Sequence, residues 1–544
     1  MASKTHVKLT GSKRERNLTA FRVRNVDPKE KVIATIGLSG PKLPGADEFV
    51  GQTMTPKELE EKFGTRGAAA SKVTKCLKKF GLEAEVASLL TRSMRVSGTA
   101  EAMEAAFKPN WAIMRSPSLG AYRGRQGTIH IPAELKGIVT GVFGLDQRRT
   151  AHRKSAGTVS VSHGTALSPL TPTDIEERYN FPDGDGEGQS IAIAEFGGGY
   201  FPEDMIAYCK KFQRPVPNVQ RIAIERGCAY TFKQLLELQN PEVRHRKLDE
   251  SFEVMMDVEI IAGLCPKASI SVYFSTFDQS GWVGLLDKVI TARPIPVTLS
   301  ISWGHAEDDR WTKDAINAIN DRLNLARLLG ITICVASGDD GWKDQVYDGS
   351  AHVDFPSSSP HVMGVGGTML EHSGASVKEV TWTEDQGTAD MRGGATGGGV
   401  SRLFPRPVWQ NVRIASLNPG SIDGRVVPDV SALAGEPYYD LFFAQFPWPD
   451  GKTSAAAPVW AALIARINAK LPQDKQQRFL TPLLYKKLAN GQTVGKVSLR
   501  DITVGKNVSY PHPGKGYKSG PGFDAATGWG VPNGVKLLNC LAQI

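Results

Sequence analysis

The chain has 544 residues, of which 41% are hydrophobic and 22% charged, a composition typical of a globular protein with ample material for a core. It contains no apolar run of the roughly 18 residues that a membrane-spanning helix needs, so we expect no membrane partner. The basic N-terminal stretch, MASKTHVKLTGSKRERNLTAF, lacks the apolar segment of a secretory signal peptide.

The net charge is unevenly distributed along the chain. Residues 1–155 contain 28 Lys and Arg against 14 Asp and Glu, a net charge of +14, whereas residues 156–544 carry −5. The basic residues are interleaved with helix and strand patterns rather than gathered in a tail, so we expect no nucleic-acid partner. Two parts of opposite charge are instead expected to bind each other.

Six cysteines are spread along the chain without a CxxC motif or paired spacing. This pattern predicts neither a metal site nor a disulfide framework. Cys265 and Cys334 lie in apolar segments and are interpreted as small core residues.

The first 150 residues alternate between strand and helix patterns. The run KVIATIGL, residues 31–38, alternates like a strand, and TPKELEEKF is typical of a helix capped by Thr55 with Glu58 three residues later. Helix, strand, helix and strand patterns follow in AAASKVTKCLKKF, RSMRVSGT, AEAMEAAF and GTIHIP. Together they predict a compact α+β unit. The polar stretch from Thr150 to Pro172 then predicts an exposed linker, open to proteolytic nicking.

After the linker, short apolar runs alternate with helix patterns, among them residues 249–264 and 309–329. This alternation predicts an α/β fold in which helices cover both faces of a parallel sheet. Functional residues in such sheets gather at the carboxyl ends of the strands, where SGDDG (337–341) and SWG (302–304) lie. The five runs interpreted as buried strands are QSIAIAEFGGG, ASISVYFS, IPVTLSISWG, GITICVASGDDG and HVMGVGGT.

Ser454, in PDGKTSAAAPVWAALIARIN, stands directly before an apolar run of helical period, a position suited to a nucleophile. The preceding Gly-Lys-Thr matches the end of a phosphate-binding loop, but Phe446 stands where the first glycine of that motif must be. Pro447 and Pro449 also remove amide donors, so the nucleotide interpretation fails. A Ser-His-Asp triad is disfavoured as well, because the SHGT segment at 162–165 lies in the linker, ahead of every sheet strand.

Carboxyl groups are the remaining candidates for accepting the serine proton. Glu253 and Asp257 are four residues apart on an apolar-rich helix pattern and therefore share one face. Two buried carboxyls in such a place can share a proton and acquire separated pKa values, whereas on an exposed helix they would be a solvated acidic face. Asp339 ends a strongly apolar strand, although an acidic turn residue, as for Asp340, is the plainer interpretation.

In chain order, Glu253-x3-Asp257, SGDDG and TSAAAP (453–458) resemble the sedolisins, or serine-carboxyl peptidases, and among them the kumamolisin branch. No single motif is specific, but the combination spans nearly the whole chain. The resemblance implies a subtilisin-like parallel sheet with helices on both faces, preceded by an α+β, ferredoxin-like prodomain. The supporting stretches are IAEFGGGY (193–200), SISWG (300–304), HVDFPSSSPHVMGVGGT (352–368), GGATGGGVSRLFPRP (393–407) and GPGFDAATGWGVPNG (520–534).

The resemblance also implies how the chain is divided into domains and how the protein matures. Residues 1–155 would form an inhibitory activation prodomain, 156–172 a linker with the maturation cleavage, and 173–544 the catalytic domain. The product would be a self-processing zymogen, secreted and monomeric, that acts on polypeptides and binds its own prodomain in cis. Docking of the basic prodomain on the acidic catalytic part would weaken as cleft carboxylates are protonated.

By resemblance, Ser454 is the nucleophile, Glu253 its general base and Asp257 the partner that orients Glu253. Asp339 is the oxyanion-hole acid, which donates a hydrogen bond beside the Ser454 amide. A carboxylate base with a pKa near ~4 works only when ionised, whereas Asp339 must stay protonated to donate. Both conditions hold together in a mildly acidic window, so we expect an endopeptidase with an acidic optimum. The alternatives are a catalytically inactive binding protein of the same fold and a subtilisin-type Ser-His-Asp protease.

Further residues follow from the resemblance. Glu195 and Trp303 would extend the acid network and the substrate wall, although Trp303 is equally interpretable as a core aromatic. Asp354 resembles an acidic specificity-pocket residue, which would favour a basic or polar substrate side chain. One structural Ca²⁺ is expected in a C-terminal loop of oxygen ligands, a donor set that suits this ion. The carboxylates and backbone carbonyls of that loop would come from Asp501, Ile502, Gly520, Gly522 and Asp524.

One position departs from the family pattern, because Lys452 stands where the sedolisins usually have the second glycine of Gly-Gly-Thr-Ser. If the position needs a positive φ, lysine is strained there. If it does not, the ammonium group is expected to lower the pKa of neighbouring carboxyls.

Overall fold

The computed structural model describes residues 5–117, 120–150, 152–153, 167–225, 227–374, 376–384, 394–508 and 514–544. The predicted cleavage linker, 156–172, and the SHGT segment therefore lie largely or wholly outside the described residues. Among the helices that are described, none is long and apolar enough to cross a membrane. All six cysteines are buried free thiols, including the two predicted in the core.

The N-terminal part combines a four-stranded antiparallel sheet with helices packed against it. Its elements in chain order are β1 (His6–Lys8), β2 (Phe21–Arg24), β3 (Lys31–Leu38), α1 (Pro56–Phe63), α2 (Gly67–Lys78), β4 (Glu83–Ser88), β5 (Ser93–Thr99), α3 (Ala100–Phe107), β6 (Trp111–Ser116), β7 (Gly120–Arg125), β8 (His130–Pro132) and β9 (Val139–Phe143). The strand order is β4-β5-β3-β9, which with the intervening helices is a ferredoxin-like βαββαβ arrangement. The predicted α+β unit is confirmed, down to the Thr55–Glu58 capping box of α1.

The larger part is built on a mostly parallel sheet. The strands are β10 (His152–Arg153), β11 (Ser190–Phe196), β12 (Asn218–Ala223), β13 (Ser269–Ser275), β14 (Thr298–Ile301), β15 (Trp303–Ala306), β16 (Thr332–Ala336), β17 (Asp354–Phe355), β18 (Met363–Ser373), β19 (Ser376–Thr381), β20 (Thr383–Glu384), β21 (Gly394–Ala395), β22 (Gly399–Pro405), β23 (Gly424–Val427), β24 (Val430–Leu433), β25 (Phe442–Phe443), β26 (Phe446–Pro447), β27 (Leu499–Arg500) and β28 (Val531–Pro532). The helices are α4 (Pro172–Arg178), α5 (Pro202–Lys211), α6 (Phe232–Leu236), α7 (Pro241–Leu264), α8 (Gln279–Ile290), α9 (Lys313–Leu328), α10 (Lys452–Lys470), α11 (Thr481–Leu484), α12 (Val494–Ser498) and α13 (Gly534–Leu541).

The central sheet has the order β12-β13-β11-β14-β16-β18-β19, and β24 also pairs with β18. All these neighbours are parallel except the β18–β19 hairpin. Side chains alternate between the faces, so that Ile191 and Ile193 pack in one cluster with α7 and α10, whereas Ala192 and Ala194 pack with α8 and α9. The predicted α/β fold, with helices on both faces, is confirmed.

The five predicted buried strands correspond to β11, β13, β14, β16 and β18. The predicted helices are present with shifted ends: α9 is shorter than 309–329, and α7 begins eight residues before the predicted start at 249. The extension is largely polar and only partly buried, and it is stabilised by the Asn240 side chain, which accepts hydrogen bonds from two first-turn amides.

The two parts of the chain pack on each other mainly through apolar contacts and hydrogen bonds to backbone carbonyls. Apolar side chains of the N-terminal part join the cluster formed around α8 and α9. Arg327 on α9 donates to the carbonyls of Gly45 and Glu48, and an ion pair links Arg149 to Glu250 at 2.6 Å. The predicted attraction between opposite net charges stays a prediction. The apolar residues contributed by the N-terminal part include Leu43, Met54, Leu59, Leu90 and Phe143.

Candidate active site

Helix α7 carries Glu253 and Asp257 on one face. All of its residues from 250 to 264 are buried, because the helix lies between the sheet and other elements of the larger part. Glu253 is 1% exposed and Asp257 is fully buried. The prediction that this helix is substantially buried is confirmed, and the exposed acidic face is excluded.

Ser302 connects α7 to the helix that carries Ser454. Its Oγ lies 2.7 Å from Oδ2 of Asp257 and 3.1 Å from the backbone oxygen of Ser454. The Ser454 hydroxyl in turn lies 3.5 Å from the Ser302 carbonyl oxygen. The structure therefore brings Ser454, Asp257 and the end of β14 to one point. The sequence offered SISWG as a motif at a strand end but gave no specific signal for this role of Ser302.

Ser454 lies in the first turn of α10, a 19-residue helix buried over most of its length. The following Ala455, Ala456 and Ala457 are fully buried, and their small side chains let this end of the helix pack closely against its neighbours. The N-terminus of a helix has a positive dipole end, which favours negative charge that develops beside Ser454.

Asp339 follows β16 and lies at the same helix end. Its Oδ1 accepts a hydrogen bond from the Thr453 amide at 3.0 Å and from the Thr453 hydroxyl at 2.6 Å. Asp339 is fully buried, and its contact with Thr453 places the carboxyl one residue from Ser454. Thr453, which belongs to the TSAAAP motif, was not singled out from the sequence.

Glu195, at the end of β11, accepts a hydrogen bond from the Trp303 indole nitrogen at 2.9 Å. Both side chains are fully buried. Trp303 also makes edge contacts with Phe277 and Phe196, with ring centroids 5.3 and 6.3 Å away. Trp303 is thus a core aromatic here, and its indole ties the acidic side chain of β11 to the strand that follows Ser302.

Asp354 lies beside the same strand, because β17 pairs antiparallel with β15. Its carboxyl packs against the Cα of Gly304: a Cβ at that glycine would lie 2.3 Å from Oδ1 of Asp354. Asp354 is 1% exposed. The glycine of the SWG motif, which directly follows Trp303, therefore makes room for the carboxyl group.

A segment of the same chain, β10, pairs with the edge of β15 that lies opposite to β17. Strand β10 pairs antiparallel with β15, with His152 opposite Gly304 and Arg153 opposite Trp303. Successive residues of β10 consequently step toward Ser302 and Ser454. The chain is next described from Leu167, and Leu170 exchanges backbone hydrogen bonds with Tyr438 and Asp440.

The predicted calcium residues form a separate cluster near the C-terminus. Asp501 accepts from the Gly522 amide at 2.6 Å and Asp524 from the Gly520 amide at 3.1 Å, so both carboxyls converge on one glycine turn. Burial raises the pKa of Asp524 to about 6, although hydrogen bonds from nearby amides oppose this. Within the described ranges no group of three or more His, Cys, Asp or Glu forms a metal cluster. Two carboxyls and a turn rich in carbonyls fit a hard cation such as Ca²⁺.

Lys452, the first residue of α10, has φ = 71°, in the left-handed region that favours glycine. Its amide donates to the Ala434 carbonyl. Of the two interpretations of this residue, backbone strain is therefore the one that the structure supports.

Comparisons with known proteins give the family and the fold of the chain. A family model described as "Pro-kumamolisin, activation domain" matches residues 21–148. The chain is 35% identical to kumamolisin from Bacillus sp. (strain MN-32) over 485 residues, 87% of this chain and 82% of that protein. It is 29% identical to human tripeptidyl-peptidase 1 over 422 residues, 72% of this chain and 67% of that protein. The structure of Pseudomonas sedolisin (serine-carboxyl proteinase), complexed with pseudo-iodotyrostatin, superposes with a TM-score of 0.56 at 24% identity and covers 69% of this chain and 98% of that one.

Proposed function

Because the chain belongs to the sedolisin family of serine-carboxyl peptidases, in its kumamolisin branch, we propose that it is the zymogen of an acid-active endopeptidase with Ser454 as its nucleophile. Its class, a serine-type peptidase with an activation domain in the same chain, follows from the family. The observation that carries the residue assignment is the meeting of α7, β14 and α10, where Ser302 contacts both Asp257 and Ser454.

In this proposal, the Ser454 hydroxyl attacks the carbonyl carbon of the scissile peptide bond and its proton passes to the Glu253 carboxylate. Asp257, hydrogen-bonded by Ser302, orients Glu253 one turn away on α7. The C–N bond then breaks as Glu253 returns the proton to the leaving amine, which leaves an acyl ester on Ser454. Water, deprotonated by Glu253, attacks this ester, and Glu253 returns the proton to the Ser454 oxygen as the second product leaves.

The tetrahedral intermediate needs donors for its negative oxygen. We assign this role to the Ser454 amide and to Asp339 in its protonated form. Since Oδ1 of Asp339 already accepts two hydrogen bonds from Thr453, Oδ2 is the oxygen that carries the donated proton. Ionised Glu253 and protonated Asp339 coexist only at mildly acidic pH, so kcat/KM is expected to peak there and to fall at neutral pH.

The position of β10 supports self-processing. The segment that leads from the prodomain into the linker lies antiparallel along β15 and runs toward Ser454, as the N-terminal half of a peptide substrate would. The predicted cleavage within 156–172 lies just beyond this strand in the chain. Secretion and a monomeric state stay predictions.

The test is intact mass against time after purified full-length protein is acidified, beside Ser454→Ala. We expect the wild type alone to lose roughly its first 155–170 residues. The Ser454→Ala protein should be cut only when active wild type is added, which shows that its linker is still accessible. If neither protein is processed at any pH between 3 and 7, the protein is a catalytically inactive relative. If Ser454→Ala processes itself at the wild-type rate, Ser454 is not the nucleophile.

We also propose one structural Ca²⁺ held by Asp501, Asp524 and the carbonyls of Ile502, Gly520 and Gly522. When bound, the ion would link the loop after β27 to the glycine turn and stabilise the folded protein. The convergence of two carboxyls on residues 520–522 supports this proposal.

A further inference from the structure

An aromatic hairpin flanks the proposed catalytic helix. We define it as residues 442–448, which include β25, β26 and Trp448, with the Trp448 amide closing it on the Leu441 carbonyl. Phe252, the residue next to Glu253, packs against it, with ring centroids 5.3 Å from Phe443 and 6.0 Å from Trp448. The hairpin also lies only a few residues before Ser454 in the chain.

Two large aromatic side chains of the hairpin remain open to solvent. Phe446 is 69% exposed and Trp448 is 38% exposed, whereas Phe252 beneath them is 5% exposed. Exposed aromatic groups on a buried aromatic base, beside a catalytic centre, form the kind of surface that binds apolar side chains of a ligand.

The hairpin is fixed by two buried carboxyls from different helices. Glu259 on α7 accepts from the Phe442 amide at 2.8 Å, and Asp204 on α5 accepts from the amides of Ala444 and Gln445 at 2.7 and 2.8 Å. Ala444 and Gln445 both have positive φ, 51° and 66°, a conformation that costs free energy for residues other than glycine. A strained turn held by buried acids indicates a hairpin kept in one defined position.

The polarity of a bound peptide decides which half of it meets the hairpin. Strand β10, which lies antiparallel along β15 and runs toward Ser454, is taken as the path of the half before the scissile bond. If a substrate follows the path of β10, the half after the scissile bond leaves Ser454 in the direction away from β15. Glu250 marks the side of α7 that faces β10, because it pairs with Arg149. Phe252 is two residues further along the helix, so its side chain points about 200° away from that of Glu250. Phe252 and the hairpin consequently lie on the side of α7 opposite to β10.

We infer that the aromatic hairpin is the subsite for the substrate residue that follows the scissile bond, and that it selects a large apolar or aromatic side chain there. The inference rests on the proposed function, since it assumes that cleavage occurs at Ser454. A large substrate side chain would be buried against Trp448 and Phe446. For a side chain that fits well, this burial raises kcat/KM about tenfold or more over a substrate that lacks it.

The test uses the mature protein obtained by acidifying the full-length chain, and a pair of peptides that are identical except for Phe or Gly directly after the cleaved bond. The measured quantity is the ratio of kcat/KM for the Phe peptide to that for the Gly peptide. We expect Trp448→Ala to lower this ratio about tenfold and Trp448→Phe to retain most of it. Val408→Ala, which removes an exposed apolar side chain elsewhere, should leave the ratio unchanged.

An unchanged ratio in Trp448→Ala would overturn the inference, because the hairpin would then only support α7. This includes the case in which kcat/KM falls equally for both peptides. Failure of the proposed function has a different signature. It appears as hydrolysis of both peptides that persists in Ser454→Ala, whatever the ratio in the Trp448 variants.

Discussion

At the scale of single residues, the proposed site depends on small side chains that leave room for charged ones. Gly304 lacks the Cβ that would collide with the Asp354 carboxyl, and the alanines after Ser454 let α10 pack closely. Lys452 is the exception, because it occupies a left-handed conformation with a full side chain. Its neighbour Gly451, in contrast, has no room for a Cβ, which would meet the Ala434 carbonyl oxygen at 2.1 Å.

Replacing Lys452 by glycine should relieve this strain. We expect Lys452→Gly to stabilise the protein by about 1 kcal/mol, because a left-handed conformation costs a residue with a Cβ about that much. Lys452→Ala is the matched control, since it removes the charge but keeps the Cβ, and it should not be stabilised. Thermal unfolding in a Ser454→Ala background measures this. In variants that retain Ser454, a shift of the pH–activity profile shared by Lys452→Gly and Lys452→Ala would instead show that the ammonium charge matters.

Asp354 offers a second test at this scale. We propose that its carboxyl attracts a basic or polar substrate side chain, and we expect Asp354→Ala to lose that preference in a peptide library. Asp354→Asn, which keeps the shape but not the charge, separates electrostatic selection from packing. Identical preferences in all three proteins would refute this role.

At the scale of elements, the site depends on four segments that meet at the same point: the middle of α7, the residues after β14, the residues after β16, and the start of α10. In a parallel sheet the carboxyl ends of neighbouring strands lie at one edge, so Ser302 after β14 and Asp339 after β16 meet the same helix end. The C-terminal loops contribute stability rather than chemistry in the proposed scheme.

Removal of Ca²⁺ should therefore lower stability. We expect a chelator to reduce the unfolding temperature of the Ser454→Ala protein by several degrees, because an ion that binds only the folded protein stabilises it by about 2.7 kcal/mol at a hundredfold excess over its Kd. Asp524→Asn should unfold at a lower temperature and no longer respond to the chelator. Added Ca²⁺ should restore the parent protein but not the variant. A parent protein whose unfolding temperature ignores the chelator would contradict the site.

At the scale of the whole molecule, buried carboxyls favour the folded protein at acidic pH. Burial raises the pKa of Glu307 to about 7, although hydrogen bonds from Ser401 and the Arg402 amide act in the opposite sense. Burial likewise raises the pKa of Asp278 to about 7. A carboxyl whose pKa is higher in the folded chain binds more protons when folded. Its contribution to the free energy of unfolding is complete below the pKa that the group has in the unfolded chain, near 4.5 for Glu307. This contribution is lost as the pH rises toward 7.

We accordingly expect the Ser454→Ala protein to unfold at a lower temperature at pH 8 than at pH 5. Glu307→Gln should reduce this difference, because the amide mimics the protonated acid and can still accept from the Arg402 amide. The contribution of Glu307 is on the order of 3 kcal/mol at most, from 1.36 kcal/mol per pKa unit. Glu242→Gln, at an exposed position on α7, serves as the control. An unchanged pH dependence in Glu307→Gln would show that this group does not set it.

The fold class and the identities of the candidate catalytic residues could be predicted from the sequence alone. Period-two and apolar strand patterns are local, so β11, β13, β14, β16 and β18 follow from short segments. The order of the acidic, SGDDG and TSAAAP motifs pointed to the family because the supporting stretches, from 193 to 534, extend the resemblance well beyond them.

Only the tertiary structure decided which groups touch. The contact of Ser302 with Asp257 and Ser454 joins residues 45 and 152 positions apart, and no local pattern encodes such a distance. The same holds for Asp204 and the hairpin turn, which are 240 positions apart. The left-handed backbone of Lys452 is likewise imposed by its surroundings, since lysine has no intrinsic preference for it. Local sequence thus specified the elements and their chemistry, and packing between distant segments specified the site.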